Sequence, residues 1–306
     1  MNMLDAMHLT TTELRGTLRK DVDMRRHTSW RAGGHVDCMY QPADLQDLQQ
    51  FMRTLPGNEA LLAVGLGSNL LVRDGGLRGT VLLLHGALTE LYLEQDGTIY
   101  AQAGVAGAKL ARFTATHNLR GGEFFAGIPG TVGGMLSMNA GCYGSEIWNV
   151  VVRVQTVDRE GVLYTRTPDE YEIAYRHLKN KDASAAAEIF TGAWIKLTSG
   201  DGEEARKEIK SLLSKRIQSQ PLNLPNAGSV FRNPKADHAA RLIEASGLKG
   251  KTIGGAQVSQ KHANFIVNLG SATAADIENL INEVRQIVLQ KFGIDLHPEV
   301  RIIGEA

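Results

Sequence analysis

Apolar residues along this chain recur in two periods, and the switches between them mark out most of its elements. In residues 44–55, Leu45, Leu48, Phe51, Met52 and Leu55 fall at helical spacing. Residues 61–64 form a short apolar run, read as a buried strand. It leads into Gly65-Leu66-Gly67-Ser68-Asn69-Leu70-Leu71-Val72. Residues 81–84 predict a second strand, and 91–94 with 98–101 predict a hairpin around Asp96-Gly97. Residues 1–95 therefore read as a small α+β lobe.

Residues 109–117 are helical, with Leu110, Phe113 and Thr114 on one side. Strands at 150–158 and 162–165 flank the turn Arg159-Glu160-Gly161, and 189–197 is apolar enough for a central strand. Residues 96–215 thus read as a second, mostly β lobe. A charged helix at 201–217 is broken by Gln220-Pro221 and Leu224-Pro225, which sets a boundary near its end. The third unit, 216–306, predicts a helix at 236–244 and a strand at 263–268. Thr273 with Asp276 then opens a long helix. Ile277, Leu280, Ile281, Val284, Ile287, Val288 and Phe292 form one stripe along it, the pattern of a core-facing helix. The class is α+β.

Composition narrows the function. Of 306 residues, 43% are hydrophobic and 22% charged, as in a globular protein. Lys plus Arg equals Asp plus Glu, at 33 each, so no whole-surface charge draws nucleic acid or anionic lipid. Cys38 and Cys142 show no CxxC or Cys/His pattern and are expected to be two small buried thiols, with no metal site. Residues 1–16 lack a basic segment followed by an apolar run, and the apolar stretches are too short for a bilayer. A cytoplasmic protein is expected, with no nucleic-acid, membrane or obligate protein partner. Glycine is in excess, at 33 residues, and clustered at 65–79, 121–134 and 141–144. Such clusters suit close approach of backbone to a ligand.

Five segments carry candidate chemistry. The turn Gly65-x-Gly67-Ser68-Asn69 can offer backbone N–H groups, a hydroxyl and an amide to a pyrophosphate. It lacks the third glycine of a dinucleotide fingerprint and the Lys of a P-loop, and alone it is equally a plain tight turn. Ala126-Gly-Ile-Pro-Gly-Thr-Val-Gly-Gly134, continuing to Met138-Asn-Ala-Gly141, can wrap a large flat ligand and its phosphates. Tyr175-Arg176 offers a guanidinium for a carboxylate or a developing oxyanion; a solvated charge is the alternative. Ser229, after Gly228, can act as a general acid only if its neighbours assist it. Glu299, in Leu296-His-Pro-Glu-Val-Arg301, can steer protons or simply pair with an arginine.

These segments, with His27-Thr-Ser-Trp-Arg-Ala-Gly-Gly34, occur in the order and approximate spacing found in UDP-N-acetylenolpyruvoylglucosamine reductases. The chain resembles that family from about residue 25 to its end. The resemblance implies a vanillyl-alcohol-oxidase (PCMH)-type FAD-binding domain of two lobes followed by a substrate domain. It implies non-covalent FAD, NADPH as co-substrate, and reduction of the enolpyruvyl UDP-sugar to UDP-N-acetylmuramate for peptidoglycan. Flavin hydride would reach the β-carbon and Ser229 would protonate the α-carbon, with Arg176 and Glu299 polarising the carboxylate. Cofactor contacts would fall on Gly65, Leu66, Gly67, Ser68, Asn69, Leu70, Gly127, Pro129, Gly130, Thr131, Gly133, Gly134, Asn139, Gly141 and Arg301.

Two departures qualify the likeness. Leu178 stands where the family usually has serine, two residues after Arg176. The stretch between Arg176 and residue 189 is too short for the tyrosine-bearing insertion of one branch, which implies the shorter type II branch. Tyr175, Arg216, Asn233, Gln257, Lys261 and His262 are then the candidates for holding the UDP-sugar. The competing readings are another FAD oxidoreductase of this fold, against which the Ser229 and Glu299 segments argue, or a non-catalytic flavin- or nucleotide-binding module.

Overall fold

The computed structural model describes residues 14–182 and 188–306. The expectation that no leader is present concerns a stretch of which 1–13 lies outside the described residues. The chain forms two compact units, each assembled from separated stretches. The first takes residues up to Lys20, Cys38–Gly65 and Gly79–Leu213; the second takes Asp21–Asp37, Leu66–Arg78 and Ser214–Ala306. The divisions at 95 and 215 follow chain order, whereas the chain enters the second unit twice before residue 79.

The main sheet of the first unit has five antiparallel strands, ordered Leu163–Arg166, Val151–Val157, Ile189–Ile195, Ile99–Gln102 and Leu91–Leu93. The apolar run at 189 is central, as its composition predicts; Ala193 pairs with Val154 on one side and Ala101 on the other. The expected hairpin is closed by Gly97 at φ 76, while Asp96 Oδ1 accepts from Thr98 N at 2.8 Å. Helices Gly107–Thr116 and Val132–Ser137 pack on this sheet through Leu110, Ala111, Val132, Met135 and Leu136, with Phe125 fully buried among them. Burying that one phenylalanine contributes about 1.5–3 kcal/mol. A smaller layer pairs Leu61–Val64 parallel to Leu77–Leu83 through Leu61↔Thr80 and Val64↔Leu83. Asp44 caps the helix Leu45–Thr54, accepting from Asp47 N at 2.9 Å, and Phe51 stacks on Tyr40 at 3.8 Å.

Three features of this unit differ from expectation. The glycine-rich segment is not backbone cradle throughout: it contains the six-residue helix Val132–Ser137. Val132, Met135 and Leu136 sit at i, i+3 and i+4, and their burial outweighs the poor helix propensity of Gly133 and Gly134. Residues 171–180 form an unforeseen hairpin, Tyr171–Ala174 against His177–Asn180, whose strands are too short to show a clear alternation. Leu178, in the position of the family's serine, pairs with Ile173 and packs against the unit's core. The apolar side chain is thus used for packing. Finally, Cys38 is buried as expected but Cys142 is only partly so, with its Sγ 3.0 Å from the Phe124 carbonyl. It lies in a tight hairpin near the surface.

The second unit is built on helix Ala274–Phe292. Ile277, Leu280, Ile281, Val284 and Val288 of its stripe are buried, and Ile287 and Phe292 pack at the edge. Against it lie the antiparallel strands Thr252–Ile253, Ala256–Val258 and Ile266–Asn268, and helix Ala239–Ala245. The expected strand at 263–268 starts later because Phe265 N turns back to the His262 carbonyl at 3.0 Å. Trp30 is fully buried here and donates its indole N–H to the Ile266 carbonyl at 2.8 Å. Its own carbonyl accepts from Asn268 Nδ2 at 2.9 Å. The final strand, Arg301–Ile303, runs parallel to Leu70–Val72. Among the described residues, no helix is long and apolar enough to cross a membrane.

The long helix opens with the capping box foreseen from sequence. Thr273 Oγ1 accepts from Asp276 N at 3.0 Å, and Asp276 Oδ2 accepts from Thr273 N at 3.1 Å. Asp74 adds a second clamp, accepting from Ala274 N and Ala275 N at 2.9 and 2.8 Å. Thr273→Ala removes one of these acceptors and is expected to cost about 1 kcal/mol. Thermal melts monitored by circular dichroism should show Tm lower by roughly 2–4 °C. An unchanged Tm would mean that Asp74 alone holds the helix start.

Candidate active site

In the first unit the two glycine-rich segments meet. A Cβ on Gly65 would stand 2.2 Å from Thr131 Oγ1, so only glycine fits beside that threonine. Thr131 begins the helix Val132–Ser137, but its first amides are already spent: Val132 N donates to the Val105 carbonyl and Gly133 N to the Ala103 carbonyl, both at 2.9 Å. Gly133 is also pressed on Ala103, whose Cβ would lie 2.9 Å from an added Cβ. These two glycines therefore serve packing. Gly134 differs, being exposed, with nothing nearer an added Cβ than Thr131 Oγ1 at 3.8 Å. Pro129 is exposed, and Gly130 accepts from Gly107 N at 2.9 Å. Gly127 lies under Cys142 and Tyr143, each 2.6 Å from an added Cβ.

Arg176 occupies the second position of the two-residue loop closing the 171–180 hairpin, at φ 52. A side chain in that left-handed region costs on the order of 1 kcal/mol, the kind of strain that collects at functional sites. Its guanidinium lies 5.2 Å from the Tyr175 ring centroid. Nη1 donates to the Asn139 carbonyl at 3.2 Å and Nη2 to the Gly141 carbonyl at 3.0 Å. Asn139 is 1% exposed and also left-handed, at φ 45. Its Nδ2 donates to Glu146 Oε2 at 2.7 Å and to the Ala174 carbonyl at 3.1 Å, and its Oδ1 meets no partner among the described residues. Asn139 can therefore offer a ligand an acceptor, but no donor from its side chain.

In the second unit, Gly67 is at φ 60, and an added Cβ would lie 2.0 Å from the His27 carbonyl. Ser29 N donates to the Gly67 carbonyl at 3.1 Å, so the His27–Gly34 motif holds this turn from below. Leu66 is half exposed beside it. Beyond Ser68, Asn69 directs Nδ2 to the Glu299 carbonyl at 3.1 Å and accepts from Arg301 N at 3.0 Å, while Leu70 enters the strand. Glu299 N donates to the Val230 carbonyl at 2.7 Å, and Phe231 bridges to Pro298. Ser229 and Glu299 are thereby held on adjacent backbone, both half-buried. Gly228, at φ 75 and bonded to Asn226 Oδ1 at 3.0 Å, sets the turn before Ser229.

Sequence reasoning missed Asn264, Asn139's link to Glu146, and Glu146 itself. Asn264 is 4% exposed and sews the Ser229 segment down: Oδ1 accepts from Phe231 N at 3.0 Å and Nδ2 donates to the Phe231 carbonyl at 2.8 Å. Its partners are over thirty positions away, so no local pattern exposes it. Among the UDP candidates, Asn233 accepts from Ala239 N at 3.1 Å and helps start a helix. Lys261 Nζ donates to the Ile217 carbonyl at 2.6 Å, and Arg216 Nε donates to Gln220 at 2.8 Å. Gln257 lies on strand Ala256–Val258, 3.4 Å from the Gly250 carbonyl. Burial lowers the pKa of His262, which meets Phe265 edge-on. Tyr175, in the first unit, is about half exposed. Among the described residues, no group of His, Cys, Asp or Glu is placed to hold a metal ion.

Comparison with known proteins defines first a class: residues 36–166 match the FAD binding domain family. Residues 220–303 match the UDP-N-acetylenolpyruvoylglucosamine reductase C-terminal domain. Over 309 residues the chain is 57% identical to the UDP-N-acetylenolpyruvoylglucosamine reductase of Thiobacillus denitrificans, covering 97% of this chain and 95% of that one. It is 51% identical over 306 residues to the reductase of Methylococcus capsulatus, covering 100% and 99%. The crystal structure of the Thermus caldophilus enzyme superposes with TM-score 0.79 at 28% identity, over 94% of this chain and 98% of that one. The chain therefore belongs to the UDP-N-acetylenolpyruvoylglucosamine reductase family and is an FAD-dependent oxidoreductase.

The local geometry fits that cofactor. Gly65 lets the two glycine-rich segments close on each other at Thr131, Gly134 leaves open space that a side chain would fill, and Asn139 keeps one buried acceptor unmet. Gly65→Ala places a methyl against the short, branched Thr131 and is expected to loosen FAD. The purified variant should carry less flavin per chain by absorbance, with little change in far-ultraviolet circular dichroism. Full flavin occupancy would show that the approach of Gly65 to Thr131 is dispensable.

Proposed function

We propose that this protein reduces UDP-N-acetylenolpyruvoylglucosamine to UDP-N-acetylmuramate with electrons from NADPH, a cytoplasmic step toward peptidoglycan. The observation that carries the reading is the fixed pairing of the Ser229 and Glu299 segments, with Glu299 N on the Val230 carbonyl at 2.7 Å. FAD, when bound, would supply the redox chemistry, carrying hydride from NADPH to the enolpyruvyl β-carbon. Ser229 gives the proton to the α-carbon. A free serine is a poor acid, so the transfer depends on the strong basicity of the carbon it meets. Arg176 and Glu299 act on the adjacent carboxylate, which must accept charge as hydride arrives. Preorganised donors are most effective at such a developing charge.

The chain's own residues divide the remaining work. The turn Gly65–Asn69 and the segment 127–141, with Arg301, hold the cofactor. Tyr175, Arg216, Asn233, Gln257, Lys261 and His262 hold the UDP-sugar. The lobes 1–95 and 96–215 with the substrate domain 216–306 remain the proposed functional division.

Two half-reactions separate the roles in stopped flow. In Ser229→Ala, NADPH should still bleach the flavin, while reoxidation by the enolpyruvyl substrate falls by about 10²-fold or more. Reoxidation at the wild-type rate would remove Ser229 as proton donor. Rapid NADPH oxidation without the UDP-sugar in the unmodified protein would refute the reaction itself.

A further inference from the structure

We infer that Glu146 is a positioning residue for Arg176, acting through Asn139; this rests on the reading above that Arg176 meets the substrate carboxylate. The connection is closed on itself. Glu146 Oε2 accepts from Asn139 Nδ2 at 2.7 Å, and the same nitrogen donates to the Ala174 carbonyl at 3.1 Å. Ala174 ends the strand leading into the loop that carries Arg176. The main chain of Asn139 accepts from Arg176 Nη1 at 3.2 Å, and Gly141 accepts from Nη2 at 3.0 Å. One buried asparagine thus holds the hairpin with its side chain and aims the guanidinium with its backbone.

The chemistry fixes the asparagine's orientation. An ionised carboxylate and a peptide carbonyl are acceptors only, so both must face the amide NH₂. Asn139 Oδ1 then points elsewhere, which agrees with its having no partner among the described residues. Glu146 is itself held firmly. It pairs with Gly141 across a two-residue turn whose residues, Tyr143 and Gly144, are at φ 54 and 83. Two positive φ values in succession are the signature of a type I′ hairpin, a rigid closure. Gly141 cannot be larger, since an added Cβ would lie 2.3 Å from the Ser145 carbonyl. The carboxylate is presented by one tight hairpin to the root of another. Without it, Asn139 loses an acceptor, and the Ala174 end of the Arg176 loop loses its tether's fixed direction.

The test uses the FAD-loaded enzyme and four variants: Glu146→Ala, Glu146→Gln, Arg176→Met and the double Glu146→Ala/Arg176→Met. Misplacement of a charge-stabilising group by about an ångström can cost 10²-fold, so E146A should reoxidise with substrate about 10- to 100-fold more slowly. Flavin content and bleaching by NADPH should change far less than reoxidation, which separates aiming from a general structural role. E146Q keeps an acceptor oxygen for Asn139 and should recover most of the rate. The double variant should be no slower than R176M, since Glu146 acts only through that arginine. A second readout needs no turnover: titration of the oxidised flavin spectrum with the UDP-sugar should show weaker binding in E146A. If E146A fails to fold, Glu146→Asp retracts the carboxylate without removing its charge and should slow reoxidation in the same selective way. Wild-type reoxidation in E146A beside slow R176M would overturn the inference, as would equal slowing of both half-reactions or multiplying effects in the double variant. Normal reoxidation in R176M would instead sink the role of Arg176 itself.

Discussion

One short parallel pairing governs the second unit. The last strand, Arg301–Ile303, lies beside Leu70–Val72, and Asn69 bonds the Glu299 carbonyl just before it. Parallel strands require a long crossover, and here the crossover is more than two hundred residues. The pairing gives Glu299 its place, and the Glu299 amide in turn fixes Val230 and the serine before it. Trp30, Leu71 and Val300 fill the core beneath, so the site's backbone rests on residues from both ends of the sequence. Such non-local contact is costly in loop-closure entropy and slow to form.

Several strained residues of the first unit lie close to one another. Asn139, Tyr143 and Arg176 all take left-handed backbone without being glycine. Each is secured by neighbours: Asn139 by Glu146, Tyr143 by its hydroxyl on the Leu212 carbonyl at 2.9 Å, Arg176 by two carbonyls. The surrounding core of Phe125, Leu136 and Trp148 supplies the stability that such conformations draw on. A packed core therefore carries locally unfavourable but well-defined turns.

Much of the fold was legible where its causes are local. The stripe from Ile277 to Val288 and the Thr273 cap are set by residues within a few positions, as is the Asp96-Gly97 turn. The helix at 132–137 was hidden, because Gly133 and Gly134 read as loop and only burial of Val132, Met135 and Leu136 makes them helical. The Arg176 hairpin was hidden because its strands are four residues each. The candidate site was legible as motifs, which marked Ser229, Glu299 and the glycine segments. Its supports were not: Asn264 and Glu146 are ordinary polar residues whose partners the fold alone brings near.

The ancestry of Trp30 and Leu71 in the core of the second unit bears on modularity. The segment 220–303 reads as a domain of its own, yet its apolar interior is completed by side chains from the first quarter of the chain. Grafted alone onto another protein, it would bring a cavity where the indole belongs. Inheritance of this folded unit is thus tied to more than its own segment, and recombination that exchanges only residues 220–303 must also find a substitute for Trp30.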